Sequence, residues 1–165
     1  MERHLTWNKG IFDNNYQIYE NGQIKSSMFF DSWRSEAKAI TQEKTYTFKD
    51  DGIYATTTKI FNENQEVIGF IVYNDWKTKA TINLNSGESY SCDFINVWHS
   101  KWIITDFKGK QINYDSSTSA GHAFANTDDE LMILLGLYVR EHFTKMFMLL
   151  LFIVVFIPII TRGIF

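Results

Sequence analysis

The chain has 165 residues, 45% of them hydrophobic and 21% charged, with 16 basic against 19 acidic side chains and a formal net charge of −3. That length suits one domain whose core is large enough to need no disulfide or metal staple, and an aromatic share of 16% excludes a disordered chain. The single Cys92 excludes an intramolecular disulfide framework and a cysteine-cluster zinc site, and the mild acidity offers no basic face for nucleic acid.

The chain opens Met1-Glu2-Arg3-His4-Leu5-Thr6-Trp7, charged and followed by no apolar signal core, so the folded part is expected in the cytoplasm. Turn signals then recur at short intervals: Glu20-Asn21-Gly22-Gln23, Asp50-Asp51-Gly52, Asn62-Glu63-Asn64-Gln65, Asn74-Asp75, Asn85-Ser86-Gly87, His99-Ser100 and Lys108-Gly109-Lys110. Asn-Gly and Asp-Gly supply the positive φ of tight hairpin turns. Between them lie runs rich in Ile, Val, Thr, Tyr, Phe and Trp, the residues that suit a pleated surface.

Alternation is legible at Tyr16–Glu20, Thr45–Phe48 and Ala80–Leu84. Val67–Tyr73 is almost wholly apolar and reads as a strand covered on both faces. Trp102–Phe107 is expected to pair across Lys108-Gly109-Lys110 with Gln111–Tyr114. Ser32 to Gln42 is the least regular stretch, where Ala37-Lys38-Ala39 suits a helical turn or a strand. Short strands at this spacing predict an all-β sandwich or barrel.

The pattern changes after Tyr114. Ser116 to Gly121 reads as a loop, and Thr127-Asp128-Asp129-Glu130 as a helix start with Thr127 capping and acids in the first turn. Leu131 to Val139 is apolar or small throughout, so that helix must be surrounded. A barrel threaded by it explains both the hairpins and the helix. Arg140-Glu141-His142 cannot sit at mid-bilayer cheaply, which predicts two separate apolar units, 131–139 and 146–160. The second, MFMLLLFIVVFIPII, carries no charge or amide and has Lys145 and Arg162 at its flanks. As a helix it spans roughly 22 Å at about 1.5 Å per residue, short of the roughly 30 Å bilayer core. The flanking cations snorkel. A core helix or a partner-covered surface is the competing reading. Arg140 and Lys145 before the tail, with Arg162 after it, give a weak positive-inside bias toward a cytoplasmic barrel.

Little in the chain points to chemistry. His4, His99, His122 and His142 form no paired metal-ligand spacing, and His99 reads as a solvated turn residue. Cys92, in a strand-like run, reads as a buried structural thiol. No nucleophile elbow, P-loop or dinucleotide fingerprint occurs. Trp76, Trp98 and Trp102 are candidate membrane-interface residues, as are Lys77 and Lys79 beside Trp76, with core and cross-strand packing the alternative.

The meander up to Tyr114 followed by AFANTDDELMILLGLYVREHF, Ala123 to Phe143, resembles the Tubby C-terminal-like superfamily, which includes LURP-one-related proteins and phospholipid scramblases. The resemblance covers roughly residues 5–143 and rests on order and pattern. It implies a twelve-stranded barrel wrapped around a central C-terminal apolar helix. The chain is short for twelve strands, so some are expected to be missing or very brief, and 146–160 is an addition to the family pattern. Tubby proteins bind phosphoinositide headgroups through basic clusters, whereas the lysines here are scattered. Scramblase-type calcium binding needs an acidic loop near the helix, and Asp128-Asp129-Glu130 reads as a helix cap instead.

The expected fold is therefore mainly β: an antiparallel, hairpin-built barrel over 1–143 around a helix at 128–142, with an apolar transmembrane helix in 144–165. Leu131, Ile133, Leu134, Leu135 and Leu137 are expected to fill the barrel. Met146, Phe147, Leu149, Leu150, Leu151, Phe152, Val154, Val155, Phe156 and Ile159 are expected to anchor it in the bilayer. The expected function is non-enzymatic: a membrane-tethered module that binds a lipid headgroup or a membrane protein at the cytoplasmic face, with no catalytic residue, cofactor or metal. The alternatives are a scramblase-like protein and a carrier holding an apolar ligand in a hollow barrel.

Overall fold

Inward apolar and outward polar side chains alternate between turns, and this folds the chain into a meander. The computed structural model describes residues 2–10, 15–31, 34–52, 56–74 and 78–161. The strands are β1 (Arg3–Lys9), β2 (Tyr16–Glu20), β3 (Gln23–Asp31), β4 (Glu36–Ile40), β5 (Thr45–Asp50), β6 (Thr57–Phe61), β7 (Val67–Tyr73), β8 (Lys79–Leu84), β9 (Ser89–Phe94), β10 (Lys101–Asp106), β11 (Gln111–Ser116) and β12 (Ala120–Ala125), followed by α1 (Glu130–Thr161). Each strand pairs antiparallel with its neighbours in sequence. β1 also pairs with β12, from Arg3↔Ala125 to Asn8↔Ala120, which closes the barrel and removes both exposed edges.

The predicted turns lie where the strands reverse. Asn21 (φ 52°) and Gly22 (φ 78°) both take positive φ between β2 and β3, the twist-matched two-residue turn. Trp102 faces Tyr114 and Ile104 faces Ile112 across the β10–β11 hairpin. The irregular stretch contains a strand, with Ala37 and Ala39 buried and Lys38 outward. The twelve strands among the described residues run from 5 to 9 residues, so the expectation of missing or very brief strands is corrected: short hairpin connections leave room for all of them. β11 continues to Ser116 and β12 begins at Ala120, so the expected Ser116–Gly121 loop shrinks to a turn. Val67–Tyr73 is a strand, but only one face is covered. Ile71 and Tyr73 are buried, whereas Phe70 and Val72 face outward and are exposed.

The inward positions alternate between bulky rings and alanines. Tyr16, Phe48, Tyr73, Tyr90, Trp102 and Tyr114 share the interior with Ala37, Ala39, Ala80, Ala123 and Ala125. A helix with its side chains is about 10–12 Å across. Small residues on several strands leave it space, and the rings close the gaps.

α1 starts with a cap two residues later than Thr127, at Asp129. Asp129 Oδ1 accepts the Met132 amide at 3.1 Å, while Thr127 Oγ1 accepts the Asp129 amide. This satisfies one of the amides that have no partner inside the helix. Leu131 to Phe143 are buried on every face. They touch strands all round the barrel: the Tyr114 hydroxyl donates to the Ile133 carbonyl, Tyr138 stacks on Phe30 and Phe48, and His142 stacks on Tyr73. α1 then continues without a break to Thr161, so the two expected apolar units are one 32-residue helix. Charges at 140–142 do not interrupt it, because they lie inside the barrel mouth and find partners there.

Candidate functional site at the barrel mouth

Three adjacent polar groups on an apolar helix need partners, and the strand ends around them supply them. Arg140, Glu141 and His142 are all buried. Glu141 accepts from Lys9 Nζ at 3.2 and 2.9 Å and from the Tyr16 hydroxyl at 2.7 Å. Arg140 donates to the Tyr16 hydroxyl and to the Ser117 carbonyl, both at 3.0 Å. Its guanidinium lies 5.0 and 5.5 Å from the Trp7 and Trp102 rings, within cation–π range. Burial, followed by the Glu141 charge, pushes the Tyr16 hydroxyl far above its ordinary value, so it stays a neutral bridge between the two ions. Glu141 is paired with Lys9, and Arg140 is hydrogen-bonded through its two terminal nitrogens and faces two rings, although its buried Nε makes no hydrogen bond; a buried ion without a partner costs several kcal/mol.

A second cluster completes the belt. Asp50, at the end of β5, accepts from the Thr58 hydroxyl at 2.6 Å and the Tyr138 hydroxyl at 2.7 Å, with His142 Nδ1 at 3.4 Å. Burial opposes its ionisation. The hydrogen bond and charge of His142, with the two hydroxyls, outweigh burial and hold the carboxyl below its ordinary value. Together the two clusters form a polar collar around the helix at its exit.

Beyond the collar the surroundings change within one turn. Phe143 is buried, and from Phe147 onward large apolar side chains are uncovered on several faces of the helix. α1 is long and apolar enough to cross a membrane, and only 6% of its most apolar 18-residue window is buried. Phe147, Leu150, Leu151, Phe152, Val154, Val155 and Phe156 are exposed. Met146, Leu149 and Ile159, on the same segment, are partly covered. Leu131, Ile133, Leu134, Leu135 and Leu137 lie inside the barrel.

The three tryptophans separate. Trp102 is 0% exposed and stacks on Tyr114 at 4.6 Å, so it is a core residue and its interfacial reading is withdrawn. Its position in an alternating strand carried that signal. Trp98, in the β9–β10 loop, is 79% exposed. Trp76 and Lys77 lie outside the described residues, while Lys79 pairs with Asp93 on the outer wall. His99 is not a solvated ring: it packs against Phe94, Phe143 and Phe147. Cys92 is buried in the core, and its thiol is pushed up by burial. Asp129, the cap, also accepts from Tyr90 and Lys110, which occupies the acidic group at the helix start. Among the described residues no group of three or more His, Cys, Asp or Glu side chains is placed to hold a metal ion.

Sequence reasoning missed the collar. Its signal was Arg140-Glu141-His142 itself, read only as an interruption of the apolar helix. Arg140, counted toward a positive-inside bias, is held inside the barrel by Tyr16 and Ser117, which leaves Lys145 as the free-standing argument. Compared with protein-family models, curated proteins and solved structures, the chain finds no match.

Proposed function

We propose that this chain is a non-enzymatic, membrane-tethered β-barrel module of the Tubby C-terminal-like kind, which binds a lipid headgroup or a membrane protein at the cytoplasmic face. One observation carries the reading: the helix that forms the core of the barrel runs on, unbroken, into an apolar stretch that the described residues leave mostly exposed. Leu, Ile, Phe and Val each favour the bilayer centre by about 0.3 to 0.6 kcal/mol. Left in water the same side chains form an apolar surface of the kind that marks a membrane or partner site. The resemblance supports the family part of the reading through strand number, strand order and the final apolar helix. The helix filling the barrel weighs against a carrier of apolar ligands, which needs a hollow interior.

The test compares full-length protein with a chain ending at Thr144. That truncation keeps Leu131 to Phe143, the part of α1 the barrel buries. The expected outcome is that full-length protein needs detergent and floats with lipid vesicles, while the truncated chain is soluble with an unchanged β spectrum. Full-length protein that stays soluble and monomeric without detergent removes the membrane reading.

A further inference from the structure

We infer that the β9–β10 loop, at the end of the barrel from which α1 emerges, is seated in the membrane interface, with Ile95, Val97 and Trp98 embedded at the headgroup boundary of a bilayer. The inference rests on the membrane reading above and goes beyond it. A tether fixes only where a barrel is; a seated rim also fixes its orientation, with the β2–β3 and β6–β7 turns of the opposite end facing the aqueous side.

The first support is mechanical. α1 has no break between Phe143, the last buried residue, and the apolar stretch that follows, so the depth of the rim is set by the depth of the helix. The β9–β10 loop lies at that level: the His99 ring is 5.8 Å from Phe143 and 6.4 Å from Phe147, the first exposed turn of the tail. The apolar run is also short. Met146 to Ile160 spans roughly 22 Å at about 1.5 Å per residue, against about 30 Å of hydrocarbon. A short span is matched by thinning the bilayer or by drawing its flanks inward, and the inward flank here is the barrel rim.

The second support is an inversion in the loop itself. Its shape is held by its polar residue. Asn96 Oδ1 accepts the Ser100 and Lys101 amides at 3.0 and 3.2 Å, and Asn96 Nδ2 donates to Ser100 Oγ at 2.7 Å. The Ile95 amide also closes the base of the loop by donating to the Lys101 carbonyl at 2.9 Å, but the side chains of Ile95, Val97 and Trp98 are 66%, 77% and 79% exposed. A water-facing loop gains nothing from such residues, whereas Trp and aliphatic side chains are favoured at the level of lipid headgroups. At the other end of the barrel the described connections expose Asn21-Gly22, Gln42-Glu43-Lys44, Glu63–Glu66 and Asn85-Ser86-Gly87, which are polar. Phe107 is the exception there, as an exposed ring. At the exit end Arg34, Asp51 and Ser117-Thr118 are exposed and polar too, so among the described connections of that end the apolar exposure is particular to the β9–β10 loop.

The experiment uses full-length protein in phosphatidylcholine vesicles with an environment-sensitive thiol dye at one introduced cysteine: Val97→Cys, Asn64→Cys at the opposite end, or Leu151→Cys in the tail. All three positions are exposed, and native Cys92 is buried from the dye. Brominated lipid is the quencher. The expected result is several-fold stronger quenching and bluer emission at 97 than at 64, with 151 quenched as well. Quenching at 151 but not at 97 overturns the seated rim and leaves the membrane reading standing. Quenching at both 97 and 64 also overturns it, since the barrel then lies on its side. No quenching at any position removes the membrane reading, and the seated rim with it.

Discussion

Asp50 was legible as a turn residue, and in part it is one: it ends β5, and its amide donates to the Ser35 carbonyl at 3.0 Å. Its carboxyl has a second role that only the fold reveals, because Thr58, Tyr138 and His142 come from distant parts of the chain. The folded state holds this carboxyl below its ordinary value of 3.8, so folding favours its charged form. The sign follows from linkage. Asp50 contributes stability above that ordinary value, and the contribution is lost as pH falls below it, through the lower folded value. Asp50→Asn is expected to cost about 2 to 4 kcal/mol at neutral pH, from weakened charge-assisted hydrogen bonds and a buried imidazole left without its acid partner. The gap between the native chain and the variant should narrow as pH drops below the ordinary carboxylate range. Urea denaturation of full-length protein in detergent, followed by tryptophan fluorescence at neutral and acid pH, measures both. A gap that stays constant into acid would mean that the carboxyl's charge does not stabilise the fold.

Elements differ in how far local pattern determines them. Hairpins such as β10–β11 were readable because period-2 alternation and a Lys-Gly-Lys turn act over a dozen residues. β1 and β12 were not, because each completes its pairing with the other end of the chain, at Arg3↔Ala125. Burial on all sides was correctly inferred for 131–139, yet the continuation through Arg140-Glu141-His142 was not, since its partners Lys9, Tyr16 and Asp50 are set by barrel closure. Gly136 gives an element-scale test in which two local rules disagree. Helix propensity favours alanine over glycine there by about 1 kcal/mol. A Cβ at that position, however, would lie 2.5 Å from the Tyr114 hydroxyl oxygen and 2.6 Å from its Cζ. The ring cannot easily yield, being stacked on Trp102 and hydrogen-bonded to the Ile133 carbonyl. Overpacking of a tight core costs about 1 to 3 kcal/mol, so the clash should win. Gly136→Ala is expected to lower the thermal midpoint, read by circular dichroism; an unchanged or raised midpoint would mean that helix and barrel wall are not in this contact.

For the whole molecule, the barrel and its filling are made in the wrong order for each other. The twelve strands precede the helix they enclose, so a chain ending at Asp128 can form every hairpin but has nothing to pack against. Tyr16, Phe48, Tyr73 and Tyr114 would line an open cavity, and the alanines beside them would widen it. Each large side chain kept from burial forgoes about 1.5 to 3 kcal/mol. Leu131 to Phe143 hold many such side chains, so the loss exceeds the roughly 5 to 15 kcal/mol that stabilises a typical domain. The chain ending at Asp128 is therefore expected to be unfolded or aggregated, whereas the chain ending at Thr144 should fold cooperatively. The boundary between core and tail thus falls inside one unbroken helix, just past the polar interruption Arg140-Glu141-His142. It is marked by the polar collar. Limited proteolysis of the two truncations checks this directly, and a protease-resistant barrel without residues 129–144 would show that the strands close on their own and that the helix is an addition to the fold.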